Sequence, residues 1–332
     1  MQTRKLGNSD LEITAIGFGA WAIGGGSWAF GWGPQDDAES IATIEHAIDA
    51  GMNWIDTAAV YGLGRSEKVV AQALKNLGSS RRPYVFTKCS LVWDEDRNVS
   101  HSLKRESILR EVESSLQRLE TDVIDLYQIH WPRHTPDQPD TDVEEGWQTL
   151  VDLKKQGKVR NIGVSNFDVA QLERISAIEK PVSLQPPYSA VRRDIETEIL
   201  PYCEANDIGT LVYSPMQSGL LSGKMTVERI ASLPEDDWRP RSAYFQEPQL
   251  TRNLEVAELF RQIGRNHNLT AGAVAIAWTL RLPAVTAAIV GARHPQQVDE
   301  IIRAADFRLS ETELKVIEEK LSSNTEAKGS AV

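Results

Sequence analysis

The sequence predicts a closed (β/α)8 barrel, and three observations carry that prediction. Short apolar runs rich in Val and Ile alternate with longer amphipathic segments almost from end to end. These runs are nearly continuous in their apolar character, as expected of parallel strands covered on both faces by helices. No Pro/Gly/Ser-rich linker or shift of composition breaks the 332 residues, so the whole chain, 1–332, is expected to form one domain. A doubly wound sheet with a second domain would also alternate strand and helix, but it calls for such a break.

The elements follow in order. A hairpin is expected around LGNSD (6–10), ahead of eight strands: AIGFG (15–19), NWID (53–56), YVFTK (84–88), VIDLYQIH (123–130), VRNIGVS (159–165), VSLQ (182–185), GTLVYS (209–214) and TAAIVG (286–291). Helical patterns fill the intervals, from DAESIATIEHAIDAG after the first strand to HPQQVDEIIRAAD after the last, and several close on a glycine just past the helix end, as at Gly51, Gly78 and Gly157. Two segments exceed the repeating unit. Residues 219–253 read as a long polar loop whose Trp238, Tyr244 and Phe245 favour packing, and residues 309–323 as a terminal helix opened by a capping-box pair, Ser310 and Glu313.

Composition narrows the function classes. With 41% hydrophobic and 25% charged residues the chain can bury an ordinary globular core. A net charge of −11 disfavours nucleic acid and anionic membrane as partners, because both require a basic face. The N-terminus has no apolar core of signal-peptide length, and no uncharged run of about 18 residues occurs elsewhere. Two cysteines, Cys89 and Cys203, cannot build a disulfide framework. A cytosolic protein acting on a small molecule, as a monomer or weak homo-oligomer, is expected.

In a barrel of this kind the active site lies at the C-terminal ends of the strands, so polar residues there are the candidates. Asp56 ends the second strand, Tyr61 follows in its loop, Lys88 ends the third strand and His130 the fourth. A lysine held beside an aspartate keeps its charge in a buried site, and that charge is expected to lower the pKa of a neighbouring phenol. A tyrosine so tuned can protonate a carbonyl oxygen as hydride reaches the carbon, while a neutral imidazole orients the carbonyl. Trp21, Trp28 and Trp32 in the loop WAIGGGSWAFGWG, with Trp93 and Trp131, are the expected walls of the substrate pocket, since each lies just past a strand that carries or adjoins these residues. Two other motifs are set aside. GFGAWA fits a dinucleotide fingerprint, but the glycine-rich run after it cannot be the required helix. His130 and His134 have the spacing of metal ligands on a helix, yet Pro132 opposes a helix there and no third ligand is evident, so no metal is expected.

With these residues in place the chain resembles the aldo-keto reductases over nearly its whole length, through GFGAW, DTAAVYG with GRSE, FTKC, QIHWP, GKVRNIGVSNF, LQPPY, YSPMQSGLLSGK and IVGARHPQQVDE. The resemblance implies reversible reduction of aldehydes or ketones with a nicotinamide cofactor, Tyr61 serving as the acid, Lys88 and Asp56 tuning it, and His130 orienting the substrate. It also implies the cofactor contacts: Gly19, Ala20 and Trp21 after the first strand; Ser165, Asn166 and Gln185 on the carboxamide; and Tyr213 stacked on the ring. Ser214, Pro215, Met216, Gly219, Leu220 and Lys224 would lie along the pyrophosphate, with Gly291, Arg293, Gln297, Glu300 and Arg239 at the adenosine end. An arginine pair suits a 2′-phosphate, so NADP(H) is the expected cofactor, with NAD(H) the alternative. From Gly291 to Gln297 the chain is most similar to the branch of bacterial general-stress and inositol-operon reductases and potassium-channel β subunits. The same residues leave two functions of other classes open: an NADPH-binding regulatory subunit with slow turnover, and a lyase using Lys88 as a Schiff base, which the adjacent Asp56 should oppose by keeping the amine protonated.

Overall fold

The computed structural model describes residues 1–26, 28, 31–133, 135, 137–235 and 237–329, with side chains as far as 323. The chain opens on an antiparallel pair, β1 (Thr3–Lys5) and β2 (Glu12–Thr14). The turn between them presses on the barrel floor. Gly7 has φ +51°, and a Cβ there would meet the Val182 carbonyl oxygen at 2.4 Å, so only glycine fits.

Then come β3 (Ile16–Gly19), β4 (Trp54–Asp56), β5 (Tyr84–Cys89), an antiparallel pair β6 (Leu91–Trp93) and β7 (Val99–His101), and then β8 (Ile124–Ile129), β9 (Val159–Ser165), β10 (Ser183–Gln185), β11 (Gly209–Tyr213) and β12 (Ala287–Val290). Eight of these strands close into a parallel barrel in the order β3-β4-β5-β8-β9-β10-β11-β12, with β12 returning to β3. Each falls within two residues of the span expected from the sequence. The register sets Asp56 opposite Gly19 and Phe86, and Lys88 opposite Gln128, which brings the polar strand ends to one rim.

Inside the barrel Trp54, Phe86, Leu126, Val182, Leu211 and Ile289 pack together, and Leu6, Leu11 and Ile13 of the N-terminal pair plug the far end. At about 25 cal/mol per Å² of apolar area, closing that end is strongly favourable, and it leaves the opposite mouth as the open one. Around the barrel lie α1 (Asp37–Asp49), α2 (Arg65–Leu77), α3 (Arg105–Leu119), α4 (Val143–Lys155), α5 (Val169–Ser176), α6 (Ile199–Ala205), α7 (Val227–Ala231), α8 (Gln249–Asn266), α9 (Ala271–Thr279), α10 (Pro295–Ile302) and α11 (Glu311–Gly329). The capping pair expected at the last helix forms, with Glu313 Oε2 accepting from the Ser310 backbone N–H at 2.8 Å.

One expectation needs correction, and two elements were not foreseen. The stretch 219–253 is not one loop. Single helical turns at Leu220–Ser222, Arg239–Arg241 and Ala243–Phe245 and the short α7 run through it, and its last residues begin α8. Leu220, Ile230, Phe245 and Leu250 bury one another in a cluster of their own, which gives the segment its shape. The helix α8 was not anticipated, although Leu250, Val256, Ala257, Phe260 and Ile263 are buried at helical spacing. The β6–β7 hairpin was likewise missed because its strands are only three residues long. Among the described residues no helix is long and apolar enough to cross a membrane.

Candidate active site

Lys88 lies at the end of β5 and is 1% exposed. Its ammonium has three N–H bonds, and three acceptors face it: Asp56 Oδ1 at 2.5 Å, the Thr57 carbonyl at 2.9 Å and the Tyr61 hydroxyl at 3.4 Å. A bare ammonium in such a place would be prohibitive, and the buried carboxylate offsets much of that cost. The other Asp56 oxygen accepts from Gln185 Nε2 at 2.9 Å and from Gln128 Nε2 at 3.3 Å. Gln128 was not among the residues picked out in the sequence. The signal was available, since it stands two residues before His130 on one strand and therefore points to the same face.

The His130 ring meets the Tyr61 ring edge to face, with centroids 5.6 Å apart. Burial, and then the Lys88 charge, push the imidazole well below the usual histidine range, so His130 is neutral at physiological pH. Tyr61 behaves otherwise than expected. Burial, reinforced by the Asp56 charge, raises its phenol well above the ordinary value. Burial also lowers the Lys88 ammonium against the pull of Asp56, and that ammonium is shared among three acceptors, so its effect on the phenol is outweighed. Tyr61 is therefore a firmly protonated donor.

A cavity of about 720 Å³ runs from Tyr61 and His130 across the mouth of the barrel to Glu300 and Gln297. Gly19, Ala20 and Trp21 line it from β3, Ser165, Asn166 and Gln185 from β9 and β10, and Tyr213 from β11. Asn166 bridges two of these strands, accepting from the Tyr213 hydroxyl at 2.8 Å and donating to the His130 carbonyl at 3.0 Å. Ser214, Pro215, Met216, Gly219, Lys224, Arg239, Gly291, Arg293, Gln297 and Glu300 line the remainder. Leu220 does not, because its side chain is wholly buried in the cluster with Ile230 and Phe245.

The cations at this far end are already engaged. Lys224 pairs with Glu300 at 2.8 Å and Arg239 with Asp237 at 2.6 Å, the Arg239 guanidinium lying 4.9 Å from the Trp32 ring centre. Arg293 donates to Gln35 Oε1 at 2.6 Å and to the carbonyls of Trp32 and Pro34. Trp21 stacks on Trp238 at 6.1 Å and tilts against Trp32 at 5.4 Å. Two loops from opposite sides thus meet over the cavity.

Of the five tryptophans, Trp21, Trp28, Trp32 and Trp131 line this cavity and Trp93 does not. Its ring faces the Arg118 guanidinium at 5.7 Å, and Leu91 and Val99 of the unforeseen hairpin take its place at the wall. Trp93 shares its strand face with Leu91 and stands opposite Val99, so it is the reach of its ring toward Arg118, and not the strand alternation, that takes it off the wall. His134 lies outside the described residues. Among those residues no group of three or more His, Cys, Asp or Glu side chains is gathered as a metal ion requires.

Comparison with known proteins gives a consistent result. The model of the Aldo/keto reductase family matches residues 15–322. The aldo-keto reductase YhdN of Bacillus subtilis is 36% identical over 318 residues, covering 96% of this chain and 92% of that protein. An Escherichia coli protein named NADH-specific methylglyoxal reductase is 34% identical, covering 96% of this chain and 98% of its own. A glycerol dehydrogenase structure from Gluconobacter oxydans superposes with a TM-score of 0.86 at 34% identity, covering 97% of this chain and 96% of that one.

Proposed function

The chain belongs to the aldo/keto reductase family, and from that premise we propose that it reduces aldehydes or ketones to alcohols, reversibly, with NADPH as hydride donor and Tyr61 as the acid. The observation that carries the reading is the buried contact of Lys88 with Asp56 and Tyr61 beside a neutral His130. The donor set of the cavity fits a nicotinamide dinucleotide. Hydroxyl and amide groups of Ser165, Asn166 and Gln185 suit a carboxamide, the Tyr213 ring suits stacking, and Arg239, Lys224 and Arg293 suit phosphates. When bound, the nicotinamide supplies the hydride.

The chain's own residues manage the proton. The raised phenol pKa keeps Tyr61 protonated until a substrate oxygen gains charge. The phenolate left after transfer is stabilised by the Lys88 ammonium, whose charge Asp56 sustains. Neutral His130 orients the carbonyl by donating an N–H that an imidazolium would make part of a competing charge. Trp28, Val60, Leu91, Val99 and Trp131 form the wall at this end and carry no charge, so the substrate is an uncharged carbonyl compound. Since Arg293 is held by Gln35 and two carbonyls, and one relative is named NADH-specific, NADH is the comparator for cofactor choice. We propose further that the 332 residues act as a single domain in the cytosol.

The test is NADPH consumption with a panel of uncharged aldehydes and ketones, for the wild type and Tyr61→Phe in parallel. The reading expects turnover in the wild type and a loss of about 10²- to 10⁴-fold in the variant. NADPH binding with no turnover of any carbonyl in either protein would instead support a regulatory nucleotide-binding subunit.

A further inference from the structure

Ser90 follows directly on β5, two residues after Lys88. It has φ +88°, a region that L side chains rarely adopt and glycine enters freely. It is also wholly buried. A serine kept in such a conformation must be over-determined by its surroundings, and strain of this kind collects near working sites.

Every polar group of this residue is engaged. Its backbone N–H donates to Glu111 Oε2 of α3 at 2.9 Å, and its carbonyl accepts from the Ser102 N–H at 3.0 Å. Its hydroxyl accepts from the Trp131 N–H at 3.2 Å and donates to the Trp131 carbonyl at 3.3 Å. Trp131 is the residue after His130, and the His130 N–H itself donates to the Cys89 carbonyl at 3.0 Å. The Ser90 turn therefore stitches the strand end that carries Lys88 to the strand end that carries His130. Glu111 anchors the stitch from behind, held in turn by Ser107 Oγ at 3.1 Å.

Resting on the role given to His130 above, we propose that Ser90 is a positioning residue: its hydroxyl, by clamping both backbone groups of Trp131, sets where the His130 imidazole stands relative to Tyr61 and Lys88. Glycine at this position would serve the backbone better. The serine is accounted for by the one thing glycine lacks, the hydroxyl.

The test separates strain from the hydroxyl. Ser90→Gly relieves the strained backbone and leaves the N–H to Glu111 in place, which offsets the two hydrogen bonds to Trp131 that it gives up, so the thermal midpoint should stay within a few degrees of the wild type. The same variant should lose about 10- to 100-fold in kcat, the scale of a misplaced catalytic group, with both KM values changed by less than about twofold. Ser90→Ala, which keeps the strain and loses the hydroxyl, should show the same loss in kcat. Wild-type kcat in Ser90→Gly overturns the proposal, as does a fall in kcat that comes only with a fall in thermal midpoint. Tyr61→Phe is run beside them. If it turns over at the wild-type rate, the reading of Asp56, Tyr61, Lys88 and His130 fails whatever Ser90→Gly does; if it is inactive while Ser90→Gly is normal, the Ser90 inference fails alone.

Discussion

The two ends of the cavity are built on opposite principles. At one end Asp56, Lys88, Gln128 and Gln185 stand on strand ends, all at most 3% exposed, and satisfy one another. At the other, Lys224, Arg293 and Glu300 stand on loops or the edge of a helix and meet their partners at or near solvent, with the Lys224–Glu300 pair 52% and 37% exposed, while Arg239 is held by Asp237 in a more sheltered pair. In low dielectric, charges and hydrogen bonds are strong and an unpaired group is costly, so the first end is rigid and intolerant. Near water the same contacts are weak and exchangeable, which suits an end that must accept and release a nucleotide.

The sharpest way to break this contrast is at the buried pair. Lys88→Met leaves Asp56 charged and buried without a cation, and the unfolding free energy should fall by about 3–5 kcal/mol in urea denaturation, with loss of turnover. A decrease of under about 1 kcal/mol would mean that the buried strand-end site is no more tightly built than the surface.

The second effect depends on pH. Burial raises the Glu111 carboxyl from 4.5 to about 7. Its folded value lies above its unfolded one, so the stability it lends is whole below about pH 4.5 and is lost as pH rises through about 7. Glu111→Gln should remove that slope. Between pH 5 and pH 8 the wild type should lose about 2–3 kcal/mol relative to the variant, at about 1.4 kcal/mol per pKa unit. Arg110 and Arg118 act on the same carboxyl but remain charged across this range. His130 contributes with the opposite sign. Its folded pKa is depressed, so its protonation in the unfolded state costs stability as pH falls below about 6.5.

At the loop end, Arg239→Ala should weaken NADPH binding by about 10- to 100-fold by titration, since a hydrogen bond to a charged group is worth about 1.5–3 kcal/mol. Lys224→Ala should do less, under about fivefold, because its pair with Glu300 is exposed. If Lys224→Ala had the larger effect, the ranking of the two loop cations by exposure would be wrong.

Most of the barrel was legible because strand and helix announce themselves by period, and because Asp56, Lys88 and His130 each close a Val- or Ile-rich run. The residues that escaped notice share a physical cause. Leu91 and Val99 reach the cavity through strands too short to show a pattern, and α8 was hidden because the polar stretch before it blurred its start. Trp93 misled because an aromatic ring beside a catalytic strand reads as a wall until its direction is known.

By itself the sequence determined which chemical groups exist and on which strand ends they stand, since alternation, turn residues and motif context are local properties of the chain. Only the tertiary structure decided how those groups act on one another. Desolvation depends on everything packed around a group, and here it raised the Tyr61 phenol that a single lysine had been expected to lower. Contacts between distant strand ends, such as Ser90 with Trp131 or Asn166 with Tyr213, depend on barrel register, which no local pattern encodes.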